Sequence, residues 1–232
     1  MNIIGNGLIA NKFREFFLNE NLLIFAAGVS NSQEQNKINF ERENNLLKNT
    51  FEKYKEKKII YFSTCSLSTN EVSEYKIHKE NIEQYIKNNF KCYAIFRLPQ
   101  VVGIANNKTL ICSFIRDLKY GKSILVQSNA TRHLLDVDDI PRLTKLILDN
   151  NIYENRIINI APLHSIDIYS IIDFIASELN IDFKYEMNNK GFKQNIEMTP
   201  LIDIVEKEDI ILQENYWKLV IKKYIKNIYA LV

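Results

Sequence analysis

The chain has few of the residues that mark disulfide-rich, fibrous or membrane proteins. It contains only 3 cysteines, 4 prolines and 6 glycines in 232 residues. Cys65, Cys92 and Cys112 show no CxxC or metal-ligand spacing, which predicts buried reduced thiols rather than disulfides or a metal site. No apolar run approaches the roughly 18 residues that span a bilayer, and the N-terminus lacks the basic segment and apolar core of a signal peptide. We therefore expect a cytoplasmic protein with no membrane partner.

Charge of neither sign dominates the chain. Its 30 basic residues and 28 acidic residues leave a net charge of +2, and no dense basic block occurs. This balance gives no support to nucleic-acid binding. A hydrophobic content of 46% is ordinary for a globular protein. The length suffices for one sizeable core, or for a core with a small lobe.

Short apolar segments alternate with helical ones. Strands are predicted at 1–4, 22–26, 58–62 and 92–98, and helices at 8–18, 40–57 and 73–89. Apolar strands without hairpin turns predict an α/β fold, with a doubly wound, mostly parallel Rossmann-like sheet covered on both faces. We place this dinucleotide-binding core at 1–105, with later strands returning to it from about 123 to 160. Residues 106–232 would form a small mixed α/β lobe for the substrate.

A glycine turn joins the first predicted strand to the first helix. Gly5-x-Gly7-x-x-Ala10 in this context is typical of dinucleotide phosphate binding at the start of a helix. Gly5 would permit the tight turn, Gly7 would let the backbone approach a pyrophosphate, and Ala10 would still allow close helix–strand packing. By itself, such a short pattern also fits a bare strand–turn–helix connection.

Tyr75 and Lys79 supply a candidate proton-transfer pair. Residues four apart on a helix share one face, and a lysine ammonium beside a phenol favours the phenolate, which lowers the tyrosine pKa. Ser63, at the end of the preceding strand, could hold a carbonyl or alcohol oxygen, and Thr64 is the alternative one position on. This set suits hydride transfer to or from a carbonyl when a nicotinamide is present. His78 is predicted to be exposed, because adjacent helical residues diverge by about 100°.

These segments together resemble the extended short-chain dehydrogenase/reductase superfamily, and most of all its nucleotide-sugar epimerases, dehydratases and 4-ketoreductases. Four more segments carry the likeness: Ala26-Ala27-Gly28 beneath the cofactor, Ser63-Thr64-Cys65 at the catalytic strand end, 97–103 beside the nicotinamide, and 131–139, whose Arg meets the substrate diphosphate. Asn39 resembles the structural Asn of the helix that follows the Ala-Ala-Gly strand. The likeness runs from residue 1 to about residue 180.

The resemblance implies NAD or NADP as cofactor and a nucleotide sugar as substrate. It assigns catalysis to Ser63, Tyr75 and Lys79, which also contact the cofactor; further cofactor binding to Gly5, Gly7, Leu8, Ile9, Ala26, Ala27, Gly28, Pro99 and Val101; and substrate binding to Thr64, Cys65, Gln100 and Arg132. Cys65 corresponds to an acid/base cysteine of some members, but a buried structural thiol is the alternative. Arg132 could instead pair with Asp136 or Asp138.

One interval departs from the family. Between the first helix and the Ala-Ala-Gly strand, the family has two more strands and a helix, and an acid or a basic residue there reads the adenosine ribose. Here that half of the Rossmann fold is shortened, so the sequence does not distinguish NAD from NADP. Glu20 is a candidate for the acid, although its spacing gives it no support. The first strand would become a sheet edge, which a homodimer partner could cover.

The sequence thus favours NAD(P)-dependent reduction or epimerisation of a nucleotide-activated keto sugar in surface polysaccharide biosynthesis. A dehydratase would add an acid/base set after the catalytic hydroxyl, which residues 66–71 do not clearly supply. Two alternatives stay open. One is a reductase of a non-sugar carbonyl, in which Arg132 is structural. The other is a non-catalytic dinucleotide-sensing or scaffold protein, suggested by the missing adenosine half.

Overall fold

The structure, a computed structural model, describes residues 1–16, 21–69, 71–104 and 109–232, and it divides into two compact units. Unit 1 comprises Met1–Leu98, Val137–Ile160 and Glu197–Val205, and unit 2 comprises Pro99–Asp136, Ala161–Ile196 and Glu206–Val232. The described strands are β1 (Asn2–Ile4), β2 (Leu22–Phe25), β3 (Lys58–Thr64), β4 (Tyr93–Leu98), β5 (Gln100–Val102), β6 (Ile124–Gln127), β7 (Thr131–Arg132), β8 (Leu134–Asp136), β9 (Arg156–Asn159), β10 (Ile166–Asp167) and β11 (Tyr185–Asn188). The helices are α1 (Leu8–Arg14), α2 (Lys37–Tyr54), α3 (Glu74–Asn89), α4 (Leu110–Lys119), α5 (Asp139–Asp149), α6 (Ile168–Leu179), α7 (Thr199–Ile202) and α8 (Tyr216–Leu231).

Unit 1 is built on a five-stranded sheet of order β1-β2-β3-β4-β9, in which every neighbouring pair is parallel. The central strand β3 is buried from Ile59 to Ser63, as expected for a strand covered on both faces. β1 lies at the edge of this sheet. The parallel α/β architecture predicted from the alternating segments is confirmed.

Helices α2 and α3 cover the sheet with wide buried faces. On α2 the buried positions 40, 43, 47 and 50 follow the helical repeat, and on α3 they are 75, 78, 79, 82, 83 and 86. Leu47 of α2 and Ile82 and Ile86 of α3 join strand residues such as Leu23, Tyr61 and Ile95 in one core cluster. Phe40 and Tyr75 form a second cluster with Val29. The α3 face is wide enough to include both 78 and 79, so the prediction that His78 is exposed is wrong: its side chain is only 5% exposed.

Several boundaries differ from the predicted ones for local reasons. Helix α2 starts at Lys37 rather than 40, because the Asn36 side chain caps it by accepting from the Ile38 amide. β3 continues through Ser63 and Thr64. The helix predicted over 8–18 ends at Arg14, and residues 17–18, like Glu20, lie outside the described residues.

The described residues of unit 2 combine three helices with three two-stranded pieces of sheet. β5 pairs with β8 and β6 with β11 in parallel, while β7 and β10 are antiparallel. Strands were predicted to return to the core sheet between 123 and 160. β9 pairs there with β4, whereas β6 belongs to unit 2 and pairs with β11. Throughout the described ranges, the structure contains no helix with the length and apolarity to cross a membrane.

Candidate active site

The glycine turn after β1 depends on Gly5 for its shape and leaves open space at Gly7. Gly5 has φ +125°, and a Cβ there would lie 2.4 Å from the Ala26 carbonyl oxygen. That oxygen belongs to the end of β2, which is held to β1 by the bond from the Ala26 amide to the Ile4 carbonyl, 2.8 Å. A Cβ at Gly7 would meet nothing within 4 Å, so protein packing does not require glycine there.

A cavity of about 530 Å³ opens beside this turn, within unit 1. Its lining combines glycines, small and apolar residues and two arginines: Ile3, Ile4, Gly5, Asn6, Gly7, Arg14, Ala26, Ala27, Gly28, Arg42 and Leu46. All the cofactor residues predicted at the glycine turn and the Ala-Ala-Gly strand end line this cavity, except for Leu8 and Ile9. The described lining residues carry positive charge and no carboxylate, which suits an anionic ligand with an apolar part.

The two arginines were not identified from the sequence. Arg14 donates to the Gly5 carbonyl at 2.6 Å and to Asn6 Oδ1 at 2.7 Å. Arg42 donates to the Ala27 carbonyl at 3.1 Å. Each guanidinium is therefore fastened to the main chain at the ends of β1 or β2, and both side chains are exposed.

A buried carboxylate, Glu43, organises the interior behind this strand end. It accepts hydrogen bonds from the Val29 amide (2.7 Å), the Tyr61 hydroxyl (2.8 Å), His78 Nε2 (2.8 Å) and Lys79 Nζ (3.2 Å). Burial by itself would raise the pKa of Glu43. The charge of Lys79 and the hydrogen bonds from His78 and Val29 outweigh burial and lower the pKa to about 2. Glu43 is thus ionised at neutral pH.

Lys79 is enclosed on every side by these groups. Its side chain is 2% exposed, and its ammonium also donates to the Tyr61 hydroxyl at 2.9 Å. Burial lowers the pKa of Lys79, against the opposing charge of Glu43. Gly28 makes room for the pair, since a Cβ there would lie 2.6 Å from Lys79 Nζ and 3.0 Å from Glu43 Oε1. Gly28 therefore contacts the pair and also lines the cavity.

Tyr75 is buried beside Val29 and Phe40 and forms a hydrogen bond with the Thr64 hydroxyl. Lys79 Nζ is 5.8 Å from the Tyr75 ring centroid. Burial raises the pKa of Tyr75 above that of a free phenol, more than the Thr64 hydrogen bond lowers it. This direction is the reverse of the sequence argument. The physical reasons are that Tyr75 is buried and that the negative charge of Glu43 also raises its pKa.

Ser63 and Cys65 are held by a second ion pair, between the buried Glu83 and the half-buried Arg97. The Ser63 hydroxyl donates to Glu83 Oε1 at 2.6 Å, and Arg97 grips the same carboxylate through Nε (2.9 Å) and Nη2 (2.7 Å). Cys65 Sγ donates to the Arg97 carbonyl at 3.2 Å. Burial raises the pKa of this thiol to about 12 despite the nearby arginine, which favours the structural interpretation of Cys65. The Ser63 hydroxyl is thus bonded to Glu83, and of the two candidate hydroxyls it is that of Thr64 that bonds Tyr75.

The remaining predicted residues lie in unit 2. Pro99 precedes β5, and the Gln100 amide donates to the His133 carbonyl at 3.2 Å, which fixes Gln100 and Val101 along β8. Arg132 donates to the Thr131 carbonyl at 2.7 Å, and its guanidinium lies 5.4 Å from the Phe192 ring centroid. Of its suggested acidic partners, Asp136 accepts from Lys223 (2.6 Å) and from the Tyr224 hydroxyl (2.5 Å).

Sequence reasoning missed Glu43, Glu83 and Tyr61. A usable signal existed for the two glutamates. Glu43 lies at helical spacing between the apolar Phe40 and Leu47, and Glu83 lies four residues after Lys79 on the same face. A charged residue on an inward face requires a partner of opposite charge. Lys79 supplies it for Glu43, and Arg97 supplies it for Glu83.

Comparison with known proteins places the fold. No protein-family model and no curated protein matches the chain. Among solved structures, the UDP-N-acetylglucosamine 4-epimerase of Methanobrevibacter ruminantium M1, in complex with UDP-N-acetylmuramic acid, has a TM-score of 0.70 at 18% identity; the match covers 99% of this chain and 83% of that one. RMD from Pseudomonas aeruginosa, complexed with NADPH, has a TM-score of 0.68 at 15% identity over 91% of this chain and 81% of that one. The UDP-glucose 4-epimerase of Thermus thermophilus, in complex with NAD, has a TM-score of 0.65 at 15% identity, with 94% and 81% covered.

The chain therefore has the fold of these solved structures. At these identities the likeness concerns the fold. It confirms the fold class that the sequence motifs predicted, and this chain is the shorter partner in each of the three matches.

Proposed function

We propose that the protein is an NAD(P)-dependent enzyme that reduces or epimerises a nucleotide-activated keto sugar for surface polysaccharide biosynthesis. One observation carries the proposal. The anion-suited cavity at Gly5–Gly7 and the buried Tyr75–Lys79 site meet at Gly28, which lines the first and contacts the second. Similar structures solved with NAD, with NADPH and with a UDP-sugar acid support the choice of ligands.

The cavity residues fit a dinucleotide. Gly7 leaves its backbone accessible, Arg14 and Arg42 offer donors to phosphate, and Ile3 and Leu46 offer apolar surface to a base. A bound nicotinamide dinucleotide would supply the hydride donor or acceptor. The protein has to position that dinucleotide and to exchange the proton.

Tyr75 is the proposed proton donor. Because burial raises its pKa, the phenol keeps its proton at neutral pH and can give it to a carbonyl oxygen during reduction. The Thr64 hydroxyl, which bonds Tyr75, would stabilise the phenolate that remains. Ser63 would have to leave Glu83 before its hydroxyl could orient the substrate oxygen. Arg132 remains the proposed ligand of the substrate diphosphate.

The test begins with binding and then follows turnover. Purified protein is titrated with NADH and NADPH by nicotinamide fluorescence, alone and with UDP-, GDP- and dTDP-sugars, and then assayed with the corresponding 4-keto sugars. Tyr75→Phe should lose turnover by about 100-fold or more, the usual contribution of a general acid, while cofactor binding persists. Tyr85→Phe, on the same helix, is the matched control and should leave turnover unchanged. Equal turnover of Tyr75→Phe and wild type would refute the assignment of Tyr75.

A second candidate is a non-catalytic dinucleotide-binding protein. The burial of Lys79 and its pairing with Glu43 favour it, because a lysine committed to a carboxylate is less available to a ribose hydroxyl. This candidate predicts that the nucleotides bind, that no keto sugar turns over, and that Tyr75→Phe changes nothing. A homodimer, a cytoplasmic location and the lack of a nucleic-acid partner stay predictions. The edge position of β1 supports the first of these.

A further inference from the structure

The charge of the cavity beside the glycine turn bears on the choice between NADH and NADPH. A diol ribose is commonly held by a carboxylate, whereas a 2′-phosphate is held by an arginine. Among the residues that the structure describes, the cavity lining contains two arginines and no acidic residue. Around the glycine turn, the charge therefore suits a phosphate rather than a free ribose hydroxyl.

Both guanidiniums are held in place by the main chain and keep donors in reserve. Arg14 is tied to Gly5 and Asn6, and also to Asn11, while Arg42 is tied to the Ala27 carbonyl. The Gly5 and Ala26 backbones touch each other, so the two anchors adjoin. A guanidinium has five N–H donors, and the bond to Ala27 uses one of those on Arg42. Anchoring lowers the entropy that each side chain loses when it binds an anion.

No carboxylate competes for these cations among the described residues. The hydrogen bonds of Arg14 and Arg42 go to carbonyl and amide oxygens, and neither takes part in a salt bridge within the described ranges. Arg42 is also close enough to Lys79 for its charge to lower the lysine pKa. The cavity edge is thus electropositive, and an anion would be attracted there.

We infer that this cavity selects NADPH over NADH, with Arg42 and Arg14 as the residues that recognise the 2′-phosphate. This inference rests on the proposed function and adds the choice of cofactor to it. A guanidinium binds a phosphate through paired, charge-assisted hydrogen bonds. The same contact has no counterpart in NADH, so its energy appears as discrimination between the two cofactors.

The experiment measures dissociation constants, not turnover. NADPH and NADH are titrated by fluorescence, and adenosine 2′,5′-bisphosphate and AMP by calorimetry, against wild type, Arg42→Gln, Arg14→Gln and Lys48→Gln. Lys48 is an exposed cation on the same helix as Arg42 but outside the cavity lining, so it is the matched control. We expect wild type to prefer each 2′-phosphorylated ligand by about tenfold or more, the effect of one good charge-assisted contact. Arg42→Gln should remove most of that preference, and Lys48→Gln should keep it.

The outcomes separate this inference from the proposed function. Equal or tighter binding of NADH would overturn the inference and leave the dinucleotide site intact. An equal loss of NADH and NADPH affinity in both arginine variants would also overturn it, because the arginines would then serve the shared pyrophosphate. Binding of neither cofactor, nor of either adenosine nucleotide, would refute the cofactor site and the inference together. Added salt should weaken NADPH binding more than NADH binding if the preference is ionic.

Discussion

Replacing Glu43 with Gln removes a buried negative charge that holds four groups together. The variant keeps the size of the side chain but leaves the Lys79 ammonium without its carboxylate partner. It also turns an acceptor-only group into an amide, whose NH2 cannot accept from Val29, Tyr61 or His78. The structure therefore predicts a loss of stability, not merely a change in chemistry.

The size of that loss of stability follows from the pKa of Glu43. A carboxyl held at about 2 instead of the usual 4.5 stabilises the folded state by about 3 kcal/mol at neutral pH. Removing one member of a buried ion pair costs about 3–5 kcal/mol in general. Both estimates are a large fraction of the free energy of unfolding of a domain, which is roughly 5–15 kcal/mol. The double variant Glu43→Gln/Lys79→Met should recover part of the loss, because no unpaired ammonium remains buried.

Urea unfolding at pH 7 and pH 4 tests the argument, with Glu41→Gln, an exposed residue of the same helix, as control. The folded pKa of Glu43 is below the unfolded one, so its contribution is present above pH 4.5 and is lost as the pH falls from there towards 2. Measured against the double variant, which lacks both titrating groups, wild type should lose about 1 kcal/mol of its advantage by pH 4. A Glu43→Gln protein as stable as Glu41→Gln at pH 7 would refute the reasoning, and so would an advantage independent of pH.

Two further predictions concern the same region. Gly28→Ala should destabilise the protein by about 1–3 kcal/mol in urea unfolding, because its Cβ would press on Lys79 Nζ at 2.6 Å. Gly7→Ala, where a Cβ meets nothing, should leave stability unchanged and weaken only cofactor binding; equal effects of the two on stability would contradict this. Thr64→Val should lower turnover more than Ser63→Ala does and move the pH profile upward, since it removes the hydrogen bond that lowers the phenol pKa. A larger loss in Ser63→Ala would return the orienting role to Ser63.

The sequence predicted the sheet of unit 1 well because its strands are apolar throughout and its helices keep a clear repeat. Residues such as Ile59 and Leu23 are fully buried, as expected for apolar residues of a strand that is covered on both faces. The strands of unit 2 were harder to predict. β11 is largely exposed and shows no apolar alternation, so the sequence pattern does not indicate its pairing with β6.

The candidate site was predicted in its residues but not in its electrostatics. Tyr75 and Lys79 do share a face of α3, as their spacing required. Their mutual influence depends on Glu43, which comes from α2 and lies 36 residues before Lys79 in the chain. Spacing along one helix cannot report a partner on another. The same limit hid Arg14 and Arg42, whose common position depends on how the ends of β1 and β2 adjoin.

The main chain at Gly28 separates the open cavity from the buried Glu43–Lys79 pair: Gly28 lines the cavity and also lies against that pair. The next amide, that of Val29, donates to Glu43 at 2.7 Å. The exchange rate of this amide proton should therefore depend on whether a ligand occupies the cavity. A ligand that reduces the motion of the main chain at Gly28 should slow hydrogen–deuterium exchange at the Val29 amide. Binding in the cavity can then be measured on the protein itself, without a chromophore and before any substrate is known.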